Sequence, residues 1–177
     1  MLHLAILRHA EALPLAEGGD LDRALSPAGY EMAERMGRYF RSANLIPDLA
    51  LVSPALRTRE TLEALEQGAA QKFKAEVVPA LYSASLETLE AILADQPKEI
   101  SFLLLIGHNP GLAELANRLV AQGKKAELTK MRDHFPTPCL ALIDFDVKSW
   151  KKAALGHGRL EVFLTRVALT KFAAGEA

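Results

Sequence analysis

The sequence predicts an α/β protein, a three-layer α/β/α sandwich whose central sheet is mostly parallel and has an antiparallel edge. Short apolar runs with strand character alternate with amphipathic helical stretches, a pattern typical of strands joined by right-handed helical crossovers. The last two runs are separated by a polar turn instead, which favours a hairpin and therefore the antiparallel edge. The predicted strands cover about residues 2–7, 49–52, 75–78, 101–106, 139–146 and 160–165.

Helix start signals occupy the stretches between these strands. Ser26-Pro27 supplies a serine N-cap and a first-turn proline, whose missing N–H is not needed at that position. Ser53-Pro54 repeats the pattern and predicts a helix that ends near Gly68. Asn109-Pro110 repeats it a third time, and Ser85 is the predicted cap of a helix after the third strand.

Length and composition exclude several classes of protein. The 177 residues fit a single domain, residues 1–177, with a sizeable core. A net charge of −1 argues against nucleic-acid and membrane partners, and no segment approaches the roughly 18 apolar residues of a membrane span. One cysteine, Cys139, and an N-terminal apolar run too short for a signal peptide favour a cytoplasmic location. Loops near 14–22 and 122–138 are the predicted mobile rims of a site.

Histidines and arginines follow three of the predicted strands. Arg8-His9 comes after the first, Ser53 to Arg57 after the second, and Gly107-His108 after the fourth. The carboxyl ends of strands in an open α/β sheet are where ligands bind. A guanidinium fork and the N–H groups of a helix start both suit a phosphoryl group. Each motif alone is common, but their expected meeting at one sheet edge predicts a phosphoryl site.

The chemistry assigns a role to each of these side chains. His9 is the candidate nucleophile, because a phosphohistidine intermediate divides one displacement into two easier steps, and nearby arginines would keep its ring neutral. His108 is expected to donate a hydrogen bond to the transferring group, with Arg8 and Arg57 neutralising charge. Since positioning and charge neutralisation can suffice, no cofactor is expected, and no spacing of ligands predicts a metal site.

In this order the residues resemble the histidine phosphatase superfamily, also called the phosphoglycerate-mutase-like family. The family signature reads here as Arg8-His9-Ala10, Ser53 to Arg57 with Thr61 four residues on, and Gly107-His108. The small size and the Gly107 to Gly111 stretch are most similar to the short phosphohistidine phosphatase branch, the SixA type. The resemblance covers residues 4 to about 169. It implies a phosphoglycerate-mutase-like fold, a phosphorylated His9, and a phosphate pocket completed by Arg8, Arg57 and His108.

Two departures from the family pattern concern the turn and the proton donor. Ala10 replaces the usual glycine, which requires a negative φ or room for a methyl group. Larger relatives place an acidic residue between the third strand and the next helix, where this chain offers only Glu87. Glu87 is equally explained as a helix-dipole or capping residue. Glu11, the other candidate acid, could equally orient a pocket arginine.

The sequence therefore predicts a metal-independent phosphatase that works through phosphorylated His9. A weak supply of acid fits the labile P–N bond of phosphohistidine, which needs less help in leaving than an alkoxide. The expected partner is a protein carrying phosphohistidine, or else a small phosphorylated compound. Two alternatives stay open: a small-molecule phosphomonoesterase, and a non-catalytic module that binds phosphate in the same pocket.

Overall fold

A computed structural model describes residues 1–173. Within that range the chain forms a seven-stranded sheet with helices on both faces, which confirms the predicted α/β class. The strands are β1 (Leu2–Arg8), β2 (Leu49–Val52), β3 (Ala75–Val77), β4 (Phe102–Gly107), β5 (Val120–Gly123), β6 (Cys139–Phe145) and β7 (Gly158–Thr165). The helices are α1 (Pro27–Ser42), α2 (Leu56–Ala69), α3 (Leu86–Ala94), α4 (Gly111–Leu119), α5 (Lys125–Asp133), α6 (Trp150–Ala153) and α7 (Arg166–Ala173), with 3₁₀ turns at Asp20–Asp22 and Pro79–Leu81.

The strand order is β3-β2-β4-β1-β6-β7-β5. The first four strands in that order are mutually parallel, and β6 runs antiparallel to both β1 and β7. The predicted β6–β7 hairpin is therefore present, with the short α6 in its connection. The antiparallel β6 lies between β1 and β7, and β5 pairs with β7 at the margin of the sheet.

Side chains alternate along the central strands and fill two cores. Leu4 and Ile6 of β1 enter the core covered by α3, α4, α5 and α6. Ala5 and Leu7 enter the core covered by α1, α2 and α7. A strand buried on both faces has to be apolar throughout, so polar chemistry can begin only where the strand ends, at Arg8.

The predicted helix caps are confirmed in two cases and wrong in two, one of which is Asn109, because α4 begins at Gly111 after Pro110 with no side-chain cap. Ser26 and Ser85 accept hydrogen bonds from backbone N–H groups of α1 and α3, at 3.0 and 3.3 Å. Ser53 does not cap α2, which begins at Leu56 after Ala55. The Ser53 hydroxyl is engaged instead with the ring of His108.

The stretch 122–138 is more ordered than the predicted loop. It contains the end of β5 and the whole of α5. Helix α5 is polar around most of its circumference and anchors itself through Met131, which is buried, and Leu128, which packs on the same core. The stretch 14–22 is exposed along most of its length, and its 3₁₀ turn contacts α2.

Strand register aligns the ends that carry chemistry. Arg8 lies opposite Gly107 across the β1–β4 pair, and Val52 lies opposite Ile106 across the β2–β4 pair. The chain therefore leaves the sheet at His9, Ser53 and His108 along the same edge.

Candidate active site

His9 follows β1 directly, and its backbone N–H donates to the carbonyl of Gly107 at 3.2 Å. Its side-chain Nδ1 lies 2.7 Å from the carbonyl oxygen of Ala10. Because a carbonyl only accepts, Nδ1 carries the proton and Nε2 keeps the lone pair. Burial, helped by His108 and the two arginines, lowers the pKa of His9 to about 3, so the ring is neutral at pH 7 and Nε2 is a competent nucleophile.

The turn after His9 is held from below by α2. The Ala10 N–H donates to Thr61 Oγ1 at 3.0 Å, and that hydroxyl donates to the carbonyl of Arg57 at 2.6 Å. Ala10 is fully buried and has no positive φ, so alanine fits where the family usually has glycine. Thr61 thus joins the turn after His9 to the helix turn that carries Arg57, from its place one turn after Arg57.

Arg57 lies in the first turn of α2 with its side chain almost fully buried. Nη1 donates to the backbone carbonyl of Asp20 at 2.7 Å, and Nη2 donates to the Asp20 carboxylate at 3.0 Å. Nη2 also lies 3.3 Å from Nδ1 of His108. Both terminal nitrogens of the fork are therefore held by an acceptor pair, which is the arrangement that two phosphoryl oxygens would use.

Arg8 and Asn109 share one backbone acceptor at the other side of the site. Arg8 Nη1 and Asn109 Nδ2 both donate to the carbonyl of Phe135, at 2.7 and 2.9 Å. Among the described residues, Arg8 Nε and Asn109 Oδ1 are buried without a hydrogen-bond partner, as is Nε of Arg57. Buried polar atoms rarely lack partners, so these groups indicate a site for a polar ligand.

His108 follows β4 and stands beside His9, with the two ring centroids 5.3 Å apart. Its Nε2 lies 2.6 Å from Ser53 Oγ. Arg57 can only donate, so Nδ1 of His108 accepts and the ring proton lies on Nε2, directed at Ser53. Burial and then Arg57 lower the pKa of His108 to about 4, so this ring is also neutral at pH 7.

The predicted phosphoryl-site residues line one open cavity of about 290 Å³: Arg8, His9, Arg57 and His108. The cavity lies at the carboxyl edge of β1 and β4, where the sequence placed a phosphoryl site. Its lining residues are Arg8, His9, Glu11, Ala12, Arg23, Arg57, His108, Asn109 and Thr137.

The two candidate acids lie in different places. Glu11 lines the cavity, but one carboxylate oxygen accepts from Ser26 Oγ at 2.7 Å and the other lies 3.5 Å from Arg166. Glu87 lies outside the cavity lining, in the first turn of α3, where it accepts a hydrogen bond from Ser85. The capping alternative for Glu87 therefore fits its position, in the first turn of α3 beside the Ser85 cap.

Asp20 and Tyr82 are residues of the site that sequence reasoning missed. Tyr82 donates to the Asp20 carboxylate at 2.6 Å and stands edge-on to the ring of His108. Hydrogen bonds from Tyr82, Arg23 and Arg57 hold the pKa of Asp20 well below its usual range. The only signal in the sequence was the prediction that loop 14–22 forms a rim, because these contacts join segments far apart in the chain.

Two classes of feature are absent from residues 1–173. No helix there is long and apolar enough to cross a membrane. No cluster of three or more histidine, cysteine or acidic side chains in that range could hold a metal ion.

Comparison with known proteins relates this chain to the histidine phosphatases. Residues 4–100 match the profile of the histidine phosphatase superfamily (branch 1). A structure from Agrobacterium tumefaciens described as a proposed phosphohistidine phosphatase SixA is 29% identical, with a TM-score of 0.77 over 93% of this chain and 97% of that one. A second such structure, from Nakamurella multipartitia, is 26% identical, with a TM-score of 0.82 over 94% of this chain and 97% of that one.

A similar sequence also occurs in a plant. An uncharacterized chloroplastic protein of Arabidopsis thaliana is 33% identical over 129 residues. The match takes in 66% of this chain but only 58% of the plant protein.

Proposed function

This chain belongs to the histidine phosphatase superfamily and has the SixA-type fold, and we propose that it is a metal-independent phosphatase acting through phosphorylated His9. Its proposed substrate is phosphohistidine in a protein. The observation that carries the proposal is the state of His9, whose proton is fixed on Nδ1 by Ala10 while Nε2 keeps its lone pair beside two arginines. A module that only binds phosphate has no use for a nucleophile prepared in this way.

The first step transfers the phosphoryl group to the enzyme. Nε2 of His9 attacks phosphorus, the P–N bond to the substrate imidazole breaks, and the departing ring takes a proton from water. Arg8 and Arg57 neutralise the phosphoryl oxygens during transfer. In the second step water attacks phosphorus, the Nε2–P bond breaks and His9 is restored. The inorganic phosphate that leaves gives one proton to solvent, which replaces the proton taken by the departing ring in the first step.

The hydrogen bonds of His108 change when Arg57 binds the phosphoryl group. Loss of the Arg57 contact frees Nδ1 of His108, and the Ser53 hydroxyl can then donate to Nε2 instead of accepting from it. Proton exchange with water then leaves the ring proton on Nδ1, from which it can form a hydrogen bond to a phosphoryl oxygen. Ser53 is thus the proposed positioning residue that selects the useful tautomer.

The contacts made by the acidic side chains of the site favour phosphohistidine over an alkyl phosphate as the substrate. Glu11 is held by Ser26 and Arg166, and Asp20 is held as an anion by Tyr82 and two arginines. Both carboxylates are thus engaged by other side chains, and neither is placed as a proton donor to a leaving group. An alkoxide leaving group needs such a donor, whereas the P–N bond of phosphohistidine is labile without one.

The test compares three substrates in the presence of a chelator: a phosphocarrier protein phosphorylated on histidine, free phosphohistidine, and p-nitrophenyl phosphate. We expect release of phosphate from both phosphohistidine substrates, with kcat/KM above that for p-nitrophenyl phosphate. The His9→Ala variant should lose all turnover, whereas His157→Asn, which alters an exposed histidine outside the cavity, should behave as wild type.

Three results would contradict the proposal. A preference for p-nitrophenyl phosphate or sugar phosphates would support a phosphomonoesterase. Phosphate binding without turnover would support the non-catalytic module. Activity abolished by chelator and restored by a metal ion would contradict the metal-independent mechanism.

A further inference from the structure

A second cavity of about 510 Å³ adjoins the catalytic one. Phe163 forms its buried floor, and Pro136 and Val167 form its sides. Val167 is 68% exposed, which leaves a large apolar side chain open at the carboxyl edge of the sheet. We name this second cavity the flanking groove.

The flanking groove and the catalytic cavity are joined at two points. Thr137 lines both of them. Glu11 of the catalytic cavity lies 3.5 Å from Arg166 of the flanking groove. The segment that forms this common wall also supplies the Phe135 carbonyl that holds Arg8. The groove is therefore continuous with the catalytic cavity, and the segment from Phe135 to Thr137 contributes to both.

Size separates what each cavity can hold. A volume of about 290 Å³ is at the lower limit for a small-ligand site and accommodates little more than a phosphoryl group and an imidazole ring. When that ring belongs to a protein, the residues beside it must lie on the surface next to the pocket. The flanking groove is an apolar part of that surface, and its volume of about 510 Å³ has room for an apolar side chain together with the backbone beside it.

Charge further restricts the occupant. The titratable groups facing the groove are Lys130, Asp133, His134 and Arg166. Lys130 is paired with Glu127 at 2.8 Å, and Arg166 lies beside Glu11. Those two carboxylates offset the two cations, and Asp133 adds a further negative charge, so the lining disfavours an acidic side chain and accepts an apolar one.

We propose that the flanking groove binds the segment of the protein substrate that carries phosphohistidine, by taking up an apolar side chain close to it in that chain. This inference rests on the proposed function, since it names the part of a protein substrate that lies outside the phosphate pocket. It assigns Val167 and Phe163 to recognition of the protein and leaves the chemistry to the catalytic cavity.

The test is the variant Val167→Glu, which places a carboxylate in the apolar groove. Its matched control is Leu155→Glu, because Leu155 is similarly exposed at 62% but precedes β7, at the opposite edge of the sheet. For each protein the readout is the ratio of kcat/KM on the phosphorylated carrier protein to kcat/KM on free phosphohistidine. We expect Val167→Glu to lower that ratio by about tenfold and Leu155→Glu to leave it as in wild type.

The ratio separates failure of the groove from failure of the proposed function. An unchanged ratio in Val167→Glu would overturn the docking assignment even if both substrates are hydrolysed. If no phosphohistidine substrate is hydrolysed by wild type, the proposed function fails, and binding of the phosphorylated carrier protein becomes the readout. Its dissociation constant should then rise about tenfold in Val167→Glu, and an equal constant would overturn the groove.

Discussion

Asp20→Asn should strengthen the binding of inorganic phosphate, because Asp20 occupies the donors that phosphate needs. Both terminal nitrogens of Arg57 point at Asp20, one at its carbonyl and one at its carboxylate. A phosphoryl group can use this fork only when the Asp20 carboxylate gives way. Asparagine keeps the shape of the side chain and removes the charge that competes.

The expected magnitude follows from how exposed the contact is. The Asp20 side chain is 47% exposed whereas that of Arg57 is 7% exposed, so solvent screens the pair and its free energy is about 1 kcal/mol or less. Phosphate can bind the Arg57 fork only after the contact with Asp20 is broken. The free energy of that contact therefore weakens the apparent affinity for phosphate by the corresponding factor. Loss of about 1 kcal/mol corresponds to roughly fivefold tighter phosphate binding.

The assay is competitive inhibition by inorganic phosphate, with titration calorimetry as an independent measure of the dissociation constant. Asp22→Asn is the matched control, since Asp22 is an exposed acid in the same 3₁₀ turn. We expect an inhibition constant about fivefold lower for Asp20→Asn and unchanged for Asp22→Asn. An equal or weaker affinity in Asp20→Asn would refute the argument that this carboxylate competes with phosphate.

Three further predictions concern the catalytic side chains. Arg57→Ala should lower kcat/KM by about 10²- to 10³-fold, whereas Arg59→Ala, on the exposed side of the same helix, should match wild type; equal effects would contradict the assignment. Ser53→Ala should lower kcat about tenfold with little change in KM, because His108 loses the hydroxyl that orients it; an unchanged kcat would remove Ser53 from the mechanism. Since the pKa values of His9 and His108 are lowered to about 3 and about 4, the unfolded chain binds more protons than the folded chain from about pH 4 to the ordinary histidine value near 6.5. The free energy of unfolding should therefore fall between pH 7 and pH 5 in urea denaturation, and His108→Asn should reduce that fall; an identical pH dependence in the variant would contradict the burial argument.

The sheet edge that carries the candidate site was predictable because the strands that lead to it are apolar along their whole length. Residues 4–7 and 103–106 are buried on both faces, so their hydrophobic runs stand out and their ends are sharply marked. Arg8, His9 and His108 follow those ends within two residues, and strand register brings them together. Local sequence therefore determined where these side chains leave the sheet.

Contacts between distant segments could not be predicted in the same way. Ser53-Pro54 has the local pattern of a helix cap, but the Ser53 hydroxyl bonds to a ring 55 positions further along the chain. Asp20 reaches Arg57 and Tyr82 across separations of 37 and 62 residues. Neither contact leaves a periodic signal, because a single polar side chain in a loop has no repeating neighbours.

Two short elements, β5 and α5, were not predicted from the sequence for a different reason. β5 has only four residues, three of them exposed, and gains its place by pairing with β7. α5 presents few apolar side chains, so its amphipathic pattern is weak in the sequence. Tertiary packing, and not local preference, decides both elements.

The most direct test of the central claim is detection of phosphate on His9 itself. The enzyme would be mixed with phosphorylated carrier protein, quenched at alkaline pH to preserve P–N bonds, digested and examined by mass spectrometry. We predict a phosphate on His9 that accumulates within one turnover and disappears on the time scale of phosphate release. Phosphate release at the normal rate with no modification of His9 at any time would contradict the account.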